Sequence, residues 1–169
     1  DTIKSELIEH LKIEITSAYG ENPENSEDYP RIVNAKHLER LEHMLKDVSI
    51  VHGGVINKQD NYFAPTLIDA PSLDSKVMEG EIFGPILPIL SYVNETEISK
   101  IINLYEKPLG FYVFSNRKAL PSAIIDNTVA GFTRPFCQRA ASILAPRVSV
   151  HQPTTQLIKL FIIRLVFAG

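Results

Sequence analysis

Glu81-Ile82-Phe83-Gly84-Pro85-Ile86-Leu87-Pro88-Ile89-Leu90-Ser91-Tyr92 holds a turn and a strand within twelve residues. Gly84-Pro85 predicts a change of direction, and the apolar run from Ile86 to Tyr92 predicts a strand. In an extended stretch before that turn, Glu81 and Phe83 point to the same side, two residues apart. A carboxylate there can accept hydrogen bonds from two neighbouring sugar hydroxyls, and the ring can pack on the same sugar or base. Spacing alone favours the plainer reading, a structural turn into a buried strand. The surrounding chain has to decide.

Outward from this stretch, helix and strand signals alternate. Towards the N-terminus, Ile3, Leu7, Leu11 and Ile15 step by four with Ile8 beside them, which predicts an amphipathic helix over residues 2–18. A polar loop punctuated by Gly and Pro follows, from Tyr19 to Pro30. Asn34 is a good N-cap for a second helix whose apolar side is Leu38, Leu41, Met44 and Leu45. Val48, Ile50 and Val51 predict a short strand stopped by Gly53-Gly54. Residues 62–68 predict another strand, with Pro65 marking an edge or irregular position.

Towards the C-terminus, Asn94 with Glu97 three residues on resembles a capping box, opening a helix that carries Ile98, Ile101 and Ile102. Residues 111–114 predict a buried strand, and residues 119–127 a helix with Pro121 in its first turn. Strands and helices alternating over short connections predict an α/β fold, a parallel or mixed sheet flanked by helices. The tail breaks this grammar. Residues 132–153 show no period, and residues 157–167 are apolar at nearly every position, so neither stretch takes an assignment.

Charge divides the chain at almost the same place. The 169 residues carry a net charge of −3 and are 44% hydrophobic, which excludes a disordered chain and suits a soluble, core-forming one. All 20 acidic residues lie at or before Asp126, whereas the last 43 residues carry five basic groups and no acid. The net acidity gives no electrostatic reason to expect nucleic acid as a partner. Cys137 is the sole cysteine, which excludes an intrachain disulfide and a cysteine-cluster zinc site and fits a reducing compartment. A cytoplasmic setting is the resulting expectation. No signal peptide is evident at the start. The longest apolar run, residues 157–169, is short for a bilayer and is broken by Lys159 and Arg164.

The catalytic inventory is thin. Dinucleotide and phosphate-loop glycine patterns and the H-E-x-x-H zinc motif are missing from the sequence. His10, His37, His43, His52 and His151 show no i, i+4 pair for a metal, so none is a metal ligand on this reading. Arg134 and Arg139 flank Cys137 and could lower its thiol pKa, but no base or oxyanion donor is recognisable nearby, so an ordinary free thiol is the better reading.

Resemblance changes the weight of the first stretch. Residues 76–88, Lys-Val-Met-Glu-Gly-Glu-Ile-Phe-Gly-Pro-Ile-Leu-Pro, resemble the E-E-I-F-G-P segment of the aldehyde dehydrogenase superfamily. Tyr19-Gly20-Glu21-Asn22-Pro23, Arg31-Ile32-Val33-Asn34 with His37, Gly53-Gly54 and Ala64-Pro65-Thr66 resemble segments of its class 3 type branch. Glu106-Lys107-Pro108-Leu109 and Tyr112-Val113-Phe114-Ser115 extend the match, which runs in order from about Ile3 to Gly131. Residues 1–131 are therefore expected to be part of an aldehyde dehydrogenase catalytic domain, and residues 132–169 a divergent tail, out of frame or disordered. A change of reading frame, or a comparable splice or assembly error, just after Gly131 is the preferred account of that tail.

The resemblance implies an NAD(P)-dependent enzyme that oxidises aldehydes to carboxylic acids. In that family a cysteine thiolate attacks the aldehyde, hydride passes to the nicotinamide, and a glutamate-activated water releases the acid. By motif position, Glu81 matches the carboxylate that holds the nicotinamide ribose and Phe83 the ring beside it. Gly80 stands where the family usually has a second acid.

The family's nucleophile, general base and oxyanion-hole asparagine all precede the point where this chain starts. Cys137 lies on the wrong side of Glu81 to be that nucleophile, so no catalytic residue is assigned. The expectation is an incomplete NAD or NADP site, an aldehyde substrate only in the complete enzyme, a homo-oligomer, and no activity from this chain alone. The rival is a non-catalytic protein that associates with intact subunits through its truncated α/β surface and apolar tail. An autonomous small α/β domain with a new binding role ranks below both.

Overall fold

The computed structural model describes residues 2–104, 110–115, 132–136 and 158–161. The chain divides into two compact units, one of residues 1–91 with 166–169 and the other of residues 92–165.

The first unit opens with helix α1 (Thr2–Tyr19) and continues through a 3-10 turn at Pro23–Asn25 to helix α2 (Ala35–Met44). Asn34 caps α2 as its residue type predicts, its side-chain oxygen accepting from the His37 amide at 2.9 Å. Strands β1 (Ser49–His52), β4 (Thr66–Asp69) and β5 (Ile86–Ile89) form a three-stranded mixed sheet. In it β4 pairs antiparallel with β1 and parallel with β5, placing Thr66 opposite Ile86 and Asp69 opposite Ile89. A two-residue hairpin of β2 (Ile56–Asn57) and β3 (Tyr62–Phe63) stands apart from that sheet.

The alternation of side chains along β4 and β5 builds two apolar layers. Ile68 and Ile86 join Leu38 and Leu41 of α2, with Phe63, Val77 and Ile82, in one cluster. Leu67 and Ile89 join Ile8 of α1, with Leu7, Leu11 and Ile15 packed against them. The sheet is thus sandwiched between helices, the arrangement predicted for an α/β fold. Lys4 adds an ion pair from α1, its Nζ 2.9 Å from Asp69 Oδ1 but without the angle of a hydrogen bond.

Two strand boundaries differ from expectation. Residues 62–68 form two short strands, because Pro65 has no N–H for a ladder and the chain leaves β2 at Phe63 to join the sheet at Thr66. Gly53 marks the same crossing from the other side. At φ +76° it turns the chain beyond β1, and a Cβ there would run into the Pro65 carbonyl. The strand expected over residues 86–92 ends at Ile89, because its partner ends first. Ala70, at φ +43°, turns β4 into Pro71 after donating its amide to the Ile89 carbonyl.

The loop after α1 is held by aromatic rings and one arginine. Tyr29 meets Tyr19 and Tyr62 edge-on and donates its hydroxyl to the Phe63 carbonyl at 2.7 Å. Arg31 lies over the Tyr62 ring, pairs with Asp60 at 2.6 Å, and donates to the carbonyls of Tyr29 and Glu24. Burial, reinforced by the neighbouring phenols, pushes the Tyr29 hydroxyl above its ordinary range, and burial also raises Tyr62.

The second unit begins its regular structure with helix α3 (Glu95–Asn103), on which Ile98 and Ile102 are buried. The expected cap is present but closes one residue early: Asn94 accepts from the Glu97 amide, while the Glu97 carboxylate accepts from the Val93 amide at 2.7 Å. Strands β6 (Gly110–Ser115), β7 (Phe132–Phe136) and β8 (Ile158–Phe161) form a sheet with β6 in the centre. β6 runs parallel to β7 and antiparallel to β8, so residues 132–136 and 158–161, inside the two tail stretches left unassigned from sequence, are strands. The helix expected at residues 119–127, and Cys137, lie outside the described residues.

The phenol network gives a testable pH dependence. Below about pH 10 Tyr29 is protonated in both the folded and the unfolded chain, and its contribution is complete. Above it the unfolded chain releases the proton first, so stability falls as pH rises. Tyr29→Phe should flatten that alkaline loss and cost about 1 kcal/mol at neutral pH through the orphaned Phe63 carbonyl. Denaturant melts from neutral to alkaline pH measure both.

Candidate functional site

The site is built on the approach to β5. Two turns over residues 72–78 lead into it, with the amides of Ser75 and Met78 donating to the carbonyls of Ser72 and Ser75. Val77 and Ile82 anchor the segment in the α2 cluster. The side chains on either side of Ile82 point outward: Glu81 is exposed, and the Phe83 residue keeps 49% of its surface accessible. The structure thus places both residues singled out by sequence on the accessible side of one anchored loop.

The backbone differs from the extended stretch expected. Phe83 has φ +44°, the left-handed region that a bulky L-residue enters at a cost on the order of 1–2 kcal/mol. Crowding by α2 accompanies this bend. Gly84 passes so close to the helix that a Cβ would sit 2.5 and 2.6 Å from the two Leu41 methyl carbons, and Leu41 is wholly buried. Immediately beyond, Pro85 supplies the carbonyl that accepts from the Thr66 amide at 2.8 Å, which locks the loop onto β4.

Arg40 of α2 contributes something that sequence reading missed. Its Nη2 donates to the Ile82 carbonyl at 2.5 Å and reaches the Phe83 carbonyl at 3.4 Å. The available signal was faint: one basic residue on the rim of a helix whose apolar side was already assigned. Among the described residues, no hydrogen bond or ion pair engages the Glu81 carboxylate. That leaves its oxygens open to accept from a ligand.

An exposed carboxylate and an exposed ring flanking one buried residue can take hydroxyls and the face of a sugar or base together. An acceptor beside a ring fits the ribose of a nucleotide cofactor. The fit does not extend to a metal, since among the described residues no group of three or more His, Cys, Asp or Glu gathers. His10 and His52 are half-buried, whereas His37 and His43 are exposed. Among the described residues, no helix is long and apolar enough to cross a membrane.

The profile described as "Aldehyde dehydrogenase family" matches residues 1–139. Mouse "Aldehyde dehydrogenase family 3 member A2" is 42% identical over 130 residues, covering 77% of this chain and 27% of that protein. Mouse "Aldehyde dehydrogenase, dimeric NADP-preferring" is 38% identical over 130 residues, covering 77% of this chain and 29% of its own length. Among solved structures, the substrate-bound state of Staphylococcus aureus AldH superposes with a TM-score of 0.76 at 38% identity, covering 80% of this chain and 30% of that one. The chain thus spans between a quarter and a third of the length of these relatives.

Two glycines of the loop should respond oppositely to substitution. Gly84→Ala forces a methyl against buried Leu41 and should lower stability by about 1–3 kcal/mol. Gly80, by contrast, has open space where a Cβ would go. Gly80→Ala should therefore leave stability unchanged or raise it by up to about 1 kcal/mol, by restricting the unfolded chain. Thermal melts of the two variants separate these outcomes.

Proposed function

The chain belongs to the aldehyde dehydrogenase family and to its class 3 type branch, and from that premise we propose that Glu81 and Phe83 form the nicotinamide-ribose edge of an NAD(P) site. The complete site serves the oxidation of an aldehyde to a carboxylic acid. The observation that carries this reading is the unengaged Glu81 carboxylate beside the exposed Phe83 ring on a loop pinned by α2.

In this reading Glu81 accepts hydrogen bonds from ribose hydroxyls, and Phe83 lays its ring along the adjoining face and excludes water from it. The cofactor, when bound, supplies the hydride acceptor. The residues of this chain hold and orient; they supply neither the thiolate nucleophile nor the general base, and Cys137 takes neither role. The chain alone is accordingly inactive. A relative named as NADP-preferring and dimeric supports either nicotinamide cofactor and a homo-oligomeric enzyme. The same proposal assigns residues 1–131 to the catalytic domain and residues 132–169 to a divergent tail.

Binding of half-cofactors tests the assignment. Nicotinamide mononucleotide added to the isotopically labelled chain should shift the Phe83 and Gly84 amide signals, and Glu81→Gln should weaken that binding about tenfold. Adenosine monophosphate should leave those signals in place. Equal binding by Glu81→Gln would contradict the role of the carboxylate. Incubated with aldehyde and either full cofactor, the chain should form no reduced nicotinamide. Turnover that persists in Cys137→Ala would overturn the inactive reading.

A further inference from the structure

In an extended chain, successive carbonyls point to opposite sides, so one donor cannot reach two in a row. The carbonyls of Ile82 and Phe83 nevertheless both face Nη2 of Arg40, at 2.5 and 3.4 Å. The two can converge because Phe83, the residue between the two groups, has φ +44°. The departure of Phe83 from extended backbone is what lets one guanidinium face both groups. We infer that Arg40 is the positioning residue of this loop: by gathering two consecutive carbonyls it holds Phe83 in the left-handed region and keeps the ring and Glu81 turned outward.

Several observations separate this role from ordinary surface charge. Arg40 is half-buried. Among the described residues it forms no ion pair, and its charge is spent on backbone oxygens. Its other terminal nitrogen, Nη1, lies 3.8 Å from Met44 Sδ one turn along, which steadies the fork against the helix. A guanidinium presents several donors in one fixed plane, whereas an ammonium is a compact point on a flexible stem. Lysine should therefore not replace it.

Methionine at this position keeps an unbranched apolar stem and good helix propensity while removing every donor. In Arg40→Met and Arg40→Lys, the Phe83 amide-to-Hα coupling and its Cα and Cβ chemical shifts should move from left-handed towards extended values. Amide exchange at Thr66, which donates to the Pro85 carbonyl, should quicken, while the signals of buried Phe63 and Ile68 stay in place to show an intact core. Unchanged Phe83 couplings in both variants would overturn the inference, as would full rescue by Arg40→Lys.

The ligand arm rests on the proposed ribose contact. Binding of nicotinamide mononucleotide should weaken about tenfold in Arg40→Met, and adding Glu81→Gln to that variant should cost much less than it does alone. If the unsubstituted chain does not bind the mononucleotide, the ribose reading fails, and the Phe83 couplings still decide the role of Arg40.

Discussion

Leu41, with none of its surface accessible, occupies the space that a side chain on Gly84 would need. That close approach of α2 to the chain before β5 is the constraint on which the candidate site depends. It brings Arg40 within reach of two carbonyls, accompanies the bend at Phe83, and sets Pro85 at the edge of β4. A looser contact would free the loop to lie extended. The Ile82 and Phe83 carbonyls that Arg40 gathers would then diverge, and Glu81 and Phe83 would lose their fixed relation.

The apolar pattern made much of the first unit legible. The stripe of α1, the buried face of α2 with its Asn34 cap, and the short strands around Gly53 and Pro85 all follow from period, cap and turn chemistry. What could not be read was set by partners distant in sequence. β5 stops where β4 turns away at Ala70, and residues 62–68 break in two because two different partners claim them. Tail strands β7 and β8 were equally hidden, since their ladders depend on β6 lying between them.

At the site, residue types were legible and geometry was not. Glu81 and Phe83 could be named from the spacing of a carboxylate and a ring and from a recognisable segment. The left-handed turn at Phe83 runs against the propensity of an aromatic residue and has no local signal beyond Gly-Pro. Arg40, forty-one residues upstream of Glu81, was visible only as one cation on a helix. Strain of this kind persists where surrounding contacts over-determine it, and here those contacts are Leu41, Arg40 and the Thr66–Pro85 hydrogen bond.

In the proposed role this loop grips the nicotinamide half of a dinucleotide and not the adenine half. Intermolecular Overhauser contacts between full-length NAD+ and the labelled chain measure it directly. Cross-peaks are expected from nicotinamide-ribose protons to the Phe83 ring and to the Glu81 side chain, with none from adenine protons. Contacts to the adenine end, or none to Phe83 with the cofactor bound elsewhere, would contradict it.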